Sequence, residues 1–505
     1  MSKPPAELGA LRLRMAELSD LQSVDLMLFW DQQTVMPPAG AEARAERAAT
    51  IARVIHARES DPALGALLDS LAAWAESEDP DADDVRLVGW ARRDFERSVR
   101  VPIELAADLT RAKTLGQQAW QEARAANDFG RFRDALATHI ELRHRYVECF
   151  EGYEHPYDAL LDDFEPGLTT AELRPLFEGL REALVPLVAE AGRSGQPRNG
   201  GLLHGHFAAV DQRVALLDVP EAVGFDPDGW RLDPTVHPFA AGIAPRDIRL
   251  TTKFDESDLA VALFSGLHEF GHGLYESATS PELFRTSLDT PVSLGVHESQ
   301  SRMWENVIGR SRPFCAWLLP RLQASLPGAL PGIDADGLYR GLNTVQPSLI
   351  RTDADETTYN LHIILRFELE LALTDGSLGV DDVPDAWDAG MQRLLGVSPP
   401  GPAEGVLQDV HWGAGLLGYF PTYTIGNLMA CQLWERLSAD VPDVDALLER
   451  GEFAPIREWL REHVHRHGRK FPPRELLRRV TGSELSAEPF LRYLREKLKD
   501  AGALA

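Results

Sequence analysis

The stretch Leu263-Phe264-Ser265-Gly266-Leu267-His268-Glu269-Phe270-Gly271-His272-Gly273-Leu274-Tyr275 decides how the rest of the chain is read. Leu259, Leu263, Leu267, Phe270 and Leu274 recur at three- and four-residue spacing, the signature of one apolar helix face. Ser257-Asp258 can cap such a helix and place negative charge in its first turn. Pro281 forces a stop beyond Ser277. Within the helix, His268-Glu269-Phe270-Gly271-His272 matches the pattern H-E-x-x-H. Positions i and i+4 differ by about 40° in azimuth, so both imidazoles leave one face. Two neutral imidazole nitrogens can then reach one Zn²⁺ at roughly 2.0–2.1 Å. Glu269 stands beside that ion, where a carboxylate can take a proton from an attacking water. Metal-assisted hydrolysis is the chemistry that needs those three groups in that order.

A catalytic zinc usually keeps three protein ligands and one open position. Downstream candidates for the third are Glu276, Glu282, Asp289, Glu298 and Glu305. Glu276 shares the helix, but its position one turn past His272 places it far along the axis for a tetrahedron that includes His268. Glu298 follows the turn-rich stretch 286–295, at or just inside a second expected helix, Val296–Ile308. The competing reading of Glu298 is an ion pair with Arg302 at i+4. Spacing alone does not choose between them.

The remainder of the chain sets bounds. It has 505 residues, an ordinary 44% of them hydrophobic, which is ample for a large core. The formal net charge of −27 repels phosphate backbones, so nucleic acid is not an expected partner. The same charge repels the carboxylate end of a peptide, so a site for that end needs its own arginine. Three isolated cysteines, Cys149, Cys315 and Cys431, form neither a disulfide framework nor a thiolate metal site. The first residues lack an apolar signal core, and no apolar run is long enough to span a bilayer. A cytoplasmic, non-membrane protein is the expectation.

Helical patterns rich in Ala, Leu, Arg and Glu cover Glu7–Trp30, Ala41–Ala63, Asp84–Ser98, Pro102–Ala126, Phe129–Phe150 and Thr170–Ala191. Gly192–Asn199 reads as a loop, and residues 200–256 hold the best strand candidates. Arg249–Lys253 reads as a short half-buried strand that could pair with an extended peptide. Helical texture then returns, with Pro- and Gly-rich breaks at 326–338 and 395–405 but no linker. The expected architecture is mainly α: one large domain over residues 1–505 with a small β-sheet beside the H-E-x-x-H helix.

Several further motifs accompany the two already quoted. His268-Glu269-Phe270-Gly271-His272 is followed by His297-Glu298-Ser299-Gln300, and together they resemble the carboxypeptidase Taq family of metallocarboxypeptidases. His237-Pro238-Phe239 is similar to that family's H-P-F, and Asp247-Ile248-Arg249-Leu250-Thr251 to its D-x-R-x-T. Ile350-Arg351 with Ala354-Asp355 matches I-R-x-x-A-D, and Gly405 through Gln408-Asp409 to His411-Trp412 matches G-x-x-Q-D-x-H-W. Trp30 to Pro37 and His467 to Gly482 are similar as well, so the resemblance covers essentially the whole chain.

The resemblance implies Glu298 as third ligand and a deep-grooved helical fold of the type shared with angiotensin-converting enzyme and neurolysin-like peptidases. It implies release of single residues from peptide C-termini with broad specificity. It also implies a homodimer and one ion per subunit, Zn²⁺ or Co²⁺. On that basis Glu269 is the expected general base. His411 and Tyr423 are expected donors to the tetrahedral oxyanion, with Tyr419 a further substrate contact. Arg351 is the first candidate for the substrate carboxylate and Arg249 the second, because a guanidinium offers a bidentate fork. His237 is a third binding candidate. The competing readings are aromatic core packing for the tyrosines and ion pairs for the arginines, Arg351 with Asp353 or Asp355 and Arg249 with Asp247. His204, His206 and the tract His463-Val464-His465-Arg466-His467 could bind metal by composition, but the tract lies in a local basic patch and reads as a solvated helix face. Two other functions stay open: an oligoendopeptidase on the same scaffold, or a catalytically inactive helical binding protein.

Overall fold

A computed structural model describes residues 4–193, 202–235, 237–326 and 330–504. The expected loop Gly192–Asn199 lies outside the described residues from 194 onward, as do 327–329 of the expected break at 326–338. The first half is a run of helices: α1 (Ala6–Thr34), α2 (Ala41–Glu59), α3 (Pro62–Ser77), α4 (Asp83–Arg100), α5 (Ile103–Ala126), α6 (Gly130–Val147), α7 (Pro156–Leu161), α8 (Thr170–Ala191) and α9 (Ala209–Val223). Ala41–Ala63 is therefore not one helix. Pro62 disfavours helical backbone at Asp61, and the Asp61 carboxylate caps α3 by accepting from the Ala63 N–H.

Three strands follow: β1 (Trp230–Pro234), β2 (Ala240–Ala244) and β3 (Asp247–Thr252). Their order is β1-β3-β2, with β3 parallel to β1 and antiparallel to β2. The strand expected at Arg249–Lys253 exists, beginning two residues earlier and ending one earlier, but it is central. Both of its hydrogen-bonding edges are taken, so it cannot itself pair with an extended peptide. The chain continues through α10 (Leu259–Ser277), α11 (Leu294–Arg302), a π-helical turn at Met303–Ile308, α12 (Arg312–Ser325) and α13 (Ala335–Leu342). It closes with α14 (Glu356–Thr374), α15 (Val383–Leu395), α16 (Pro421–Asp440), α17 (Val444–Arg450), α18 (Ala454–His463), α19 (Pro473–Thr481) and α20 (Glu488–Asp500).

Helix α10 is the centre of the packing. Asp258 caps it through the Ala260 N–H, and Leu259, Leu263, Leu267, Phe270 and Leu274 are all buried. One contiguous cluster of buried apolar side chains reaches from Leu8 to Ala503. No helix among the described residues is long and apolar enough to cross a membrane.

Candidate metal centre

The site is built where α10 and α11 cross. Gly271, between the two histidines, lies so close to α11 that a Cβ there would sit 2.6 Å from the Gln300 carbonyl oxygen and 2.7 Å from the Ser301 Cα. A glycine inside a helix costs roughly 1 kcal/mol relative to alanine. Here it lets the two backbones touch. Helix α11 is fixed at its start by Ser293, whose hydroxyl accepts from the Val296 N–H, and by buried Glu165, which accepts from the Gly295 N–H. On the other side of α11, Gly426 of α16 abuts the Cβ and Cγ of Glu298.

The result is a compact triangle. His268 Nε2 and His272 Nε2 are 3.2 Å apart, and each lies 3.6 Å from Glu298 Oε2. Ligands at roughly 2.0–2.1 Å from a tetrahedral ion stand about 3.4 Å from one another. The triangle thus fits a divalent cation, and two imidazoles with one carboxylate are a donor set suited to one. Among the described residues these three form the one group with such spacing. Gly426→Ala should push Glu298 off this geometry, because the new methyl would fall 2.5 Å from its Cγ. The expected cost is about 1–3 kcal/mol in stability and a weaker grip on the ion, checked by urea unfolding and chelator competition.

The remaining candidate ligands have other duties. Glu305, carried by the π-helical turn, accepts from His268 Nδ1 at 2.8 Å. A carboxylate behind a ligating imidazole fixes its tautomer and orientation. Glu276 pairs instead with His297 Nε2 at 3.1 Å, and the His297 ring stacks on His272 with centroids 3.9 Å apart. Arg302 donates through Nε to Glu298 Oε1 at 2.7 Å and through Nη1 to Glu305 Oε2 at 3.1 Å. The ion pair of Glu298 with Arg302 therefore forms through Oε1, while Oε2 faces the two imidazoles.

Glu269 is buried, and burial pushes its carboxyl up to about 8. Burial opposes a charge on His268, but Glu298 and Glu305 outweigh it and raise the imidazole to about 9. Burial, followed by His297 and His268, holds His272 well below its usual range. Burial also acts against ionisation of Glu305, yet Arg302 and His268 bring it down to about 2. A divalent cation among these groups favours neutral imidazoles and an ionised Glu269.

The opposite wall comes from α14, α16 and the turns before α16. Tyr423 lies one turn before Gly426, and the charge of Glu298 acts on both Tyr419 and Tyr423. His411 Nε2 is 3.1 Å from the Tyr423 hydroxyl. Burial brings His411 down to about 3, Arg351 and Arg366 adding to the effect against the pull of Asp409, so the ring is neutral. Burial keeps the Tyr423 phenol protonated and able to donate.

Arg351 pairs with neither Asp353 nor Asp355. Its Nε and Nη2 donate to Asp409 Oδ1 at 2.9 and 2.8 Å, and Nη1 donates to the Tyr359 hydroxyl at 2.8 Å. Arg366, fully buried, grips the other oxygen of Asp409 at 2.7 and 2.5 Å. Burial alone would raise the Asp409 carboxyl; the two guanidiniums override that and hold it well below the usual carboxylate range. Two cations share one anion, so this wall carries net positive charge beside the Tyr423 ring, 4.9 Å from the Arg351 guanidinium.

The other named residues lie elsewhere. Arg249 forms a bidentate pair with Asp247 and packs over the Trp30 ring at 4.5 Å, sharing it with Arg231. His237 is exposed, between β1 and β2. The histidine tract is not all solvated surface: His465 is buried, 2.8 Å from Gln300 Oε1, with its ring stacked on Tyr275. Arg366, Asp409 as an ion-pair centre, Tyr359 and the Glu305 contact were missed from sequence. One signal was present: a lone arginine in the otherwise apolar run Ile363–Phe367 demands a buried partner.

The family model described as carboxypeptidase Taq (M32) metallopeptidase matches residues 10–498. Thermostable carboxypeptidase 1 of Thermus thermophilus is 40% identical over 490 residues, covering 95% of this chain and 96% of its own. Carboxypeptidase 1 of Bacillus subtilis is 38% identical over 483 residues, covering 96% of each. Among solved structures, the M32 carboxypeptidase from Deinococcus radiodurans R1 superposes with a TM-score of 0.94 at 40% identity, over 99% of this chain and 100% of that one. Pyrococcus furiosus carboxypeptidase, in a structure described as Apo-Mg, gives a TM-score of 0.94 at 34% identity, over 98% and 100%.

Proposed function

The chain belongs to the carboxypeptidase Taq (M32) family of metallopeptidases, and we propose on that premise that Glu269 drives the release of single residues from peptide C-termini with broad specificity. It is a peptide hydrolase of the metallocarboxypeptidase class that works with a divalent metal. The observation that carries the reading of the site is the ligand triangle of His268, His272 and Glu298 with buried Glu269 on the same helix. We assign Zn²⁺ to it, with Co²⁺ acceptable to the same donors, one ion per subunit. When bound, such an ion polarises the scissile carbonyl and lowers the pKa of a water. Glu269 takes the proton of the attacking water and returns it to the leaving amine. The Tyr423 hydroxyl, supported by neutral His411, donates to the oxyanion as the carbonyl carbon becomes tetrahedral, and Tyr419 lines the same wall.

The substrate's terminal carboxylate requires a cation, and Arg351 is the one we assign. Its bonds to Asp409 and Tyr359 leave one N–H on each terminal nitrogen, and the wall's excess positive charge favours an anion. Arg249, its fork closed by Asp247, and exposed His237 are secondary candidates for longer peptides. Arg351→Ala should lower kcat/KM for free-ended peptides about 100-fold and leave an amidated peptide within a few-fold. Equal losses on both would remove Arg351 from this role.

Four broader assignments accompany the mechanism. The chain acts as a single domain, its helices enclosing a deep groove of the kind found in angiotensin-converting enzyme and neurolysin-like peptidases. It pairs as a homodimer. It resides in the cytoplasm. Its partners are peptides, not nucleic acids or membranes. The family's named carboxypeptidases favour exopeptidase action over an oligoendopeptidase or an inactive binding protein. Mass spectrometry of a mixed peptide set tests this: C-terminal ladders of single-residue steps are expected, whereas internal cuts would make it an oligoendopeptidase.

A further inference from the structure

Arg302 is largely withdrawn from solvent behind the ligand triangle and takes part in a closed ring of contacts. His268 Nδ1 meets Glu305 Oε2 at 2.8 Å, Glu305 Oε2 accepts from Arg302 Nη1 at 3.1 Å, and Arg302 Nε donates to Glu298 Oε1 at 2.7 Å. Glu298 Oε2 closes the ring 3.6 Å from His268 Nε2. The guanidinium also packs against the Tyr359 ring at 4.4 Å, and that tyrosine's hydroxyl accepts from Arg351. Its position is over-determined: two carboxylates in its plane and an aromatic face against it.

We propose that Arg302 is a positioning residue that restricts Glu298 to one-oxygen coordination and weakens the hold on the metal. Two physical effects combine. A charge-assisted hydrogen bond occupies Oε1, so only Oε2 faces the two imidazoles. The same bond draws electron density from the carboxylate, and a fixed positive charge behind it opposes a second cation in a poorly screened site. A chelating Glu298 would fill the position that water and the substrate carbonyl need. A carboxylate held by one oxygen leaves that position free. The native centre thus gives up affinity and keeps an open coordination site. This rests on His268, His272 and Glu298 holding the ion.

The test uses the full-length protein loaded with Co²⁺, whose visible absorption falls in intensity as the coordination number rises from four to five to six. Arg302→Met removes both the charge and the bond. It should bind Co²⁺ about tenfold more tightly by chelator competition and show a visible band of clearly lower intensity. Arg302→Gln removes the charge but still offers an N–H to Oε1, so it should bind more tightly and keep the native band. It also stands as an independent test if the methionine variant fails to fold. Unchanged or weaker Co²⁺ binding in either variant overturns the proposal, as does a native band in Arg302→Met. No Co²⁺ binding by the native chain would overturn the metal-site reading beneath it, an outcome distinct from native binding with unaltered variants.

Discussion

Replacing Glu269 with glutamine is expected to abolish amino-acid release while leaving the metal bound. Glutamine keeps the shape of the side chain, and none of the three ligating atoms belongs to residue 269. What it loses is the ability to accept a proton from water and pass it to the departing amine. General base catalysis of this kind contributes about 10²–10⁴-fold, and here one group serves both transfers, so the loss should sit at the upper end. The measurement is kcat by released amino acid, with metal content by elemental analysis on the same sample. Activity within tenfold of the native enzyme, at equal metal content, would show that another group moves the proton.

The second large effect falls on stability. Asp409→Asn leaves Arg351 and Arg366 facing each other in the interior without their shared anion. Removing one partner of a buried ion pair costs about 3–5 kcal/mol, and here one removal strands two charges. The urea midpoint at neutral pH should fall accordingly, and Arg351 should lose its fixed direction along with it. The pH dependence has a definite sign. The folded-state pKa of Asp409 is depressed, so its contribution is complete above the unfolded carboxylate pKa of about 3.9 and disappears as pH falls toward the folded value. Native and variant stabilities should differ by a constant amount above pH ~5 and converge below pH ~4. A midpoint that does not move at neutral pH would mean that the two guanidiniums find other partners.

Much of the metal helix was legible in sequence. The apolar spacing, the Asp258 cap and the stop near Pro281 are local signals, and α10 begins and ends where they place it. The third ligand needed more. Spacing offered Glu298 either to a metal or to Arg302, and the structure brings one oxygen to Arg302 and the other toward the two histidines. The expected helix Val296–Ile308 does form, but its second half is π-helical. That change of hydrogen-bond register aims Glu305 at His268 and leaves no mark in a 3.6-residue pattern. The break at Asp61-Pro62 was readable in principle from the proline alone. The partner of Arg366 was not: Asp409 lies 43 residues away, beyond any helical or strand period. The place of β3 inside the sheet was hidden for the same reason, since strand order is a property of the whole fold.

The contact at Gly271 makes the metal centre behave as a caliper with fixed jaws. Where two helices meet backbone to backbone, no side chain stands between them whose size could change the gap. The separation of the two helix backbones at that point is then set by their direct contact rather than by an intervening side chain. Substitutions that touch neither Gly271 nor Gly426 can accumulate in the core without altering that backbone separation, provided the two jaws still close. The chain and its Pyrococcus furiosus relative are 34% identical yet superpose at a TM-score of 0.94.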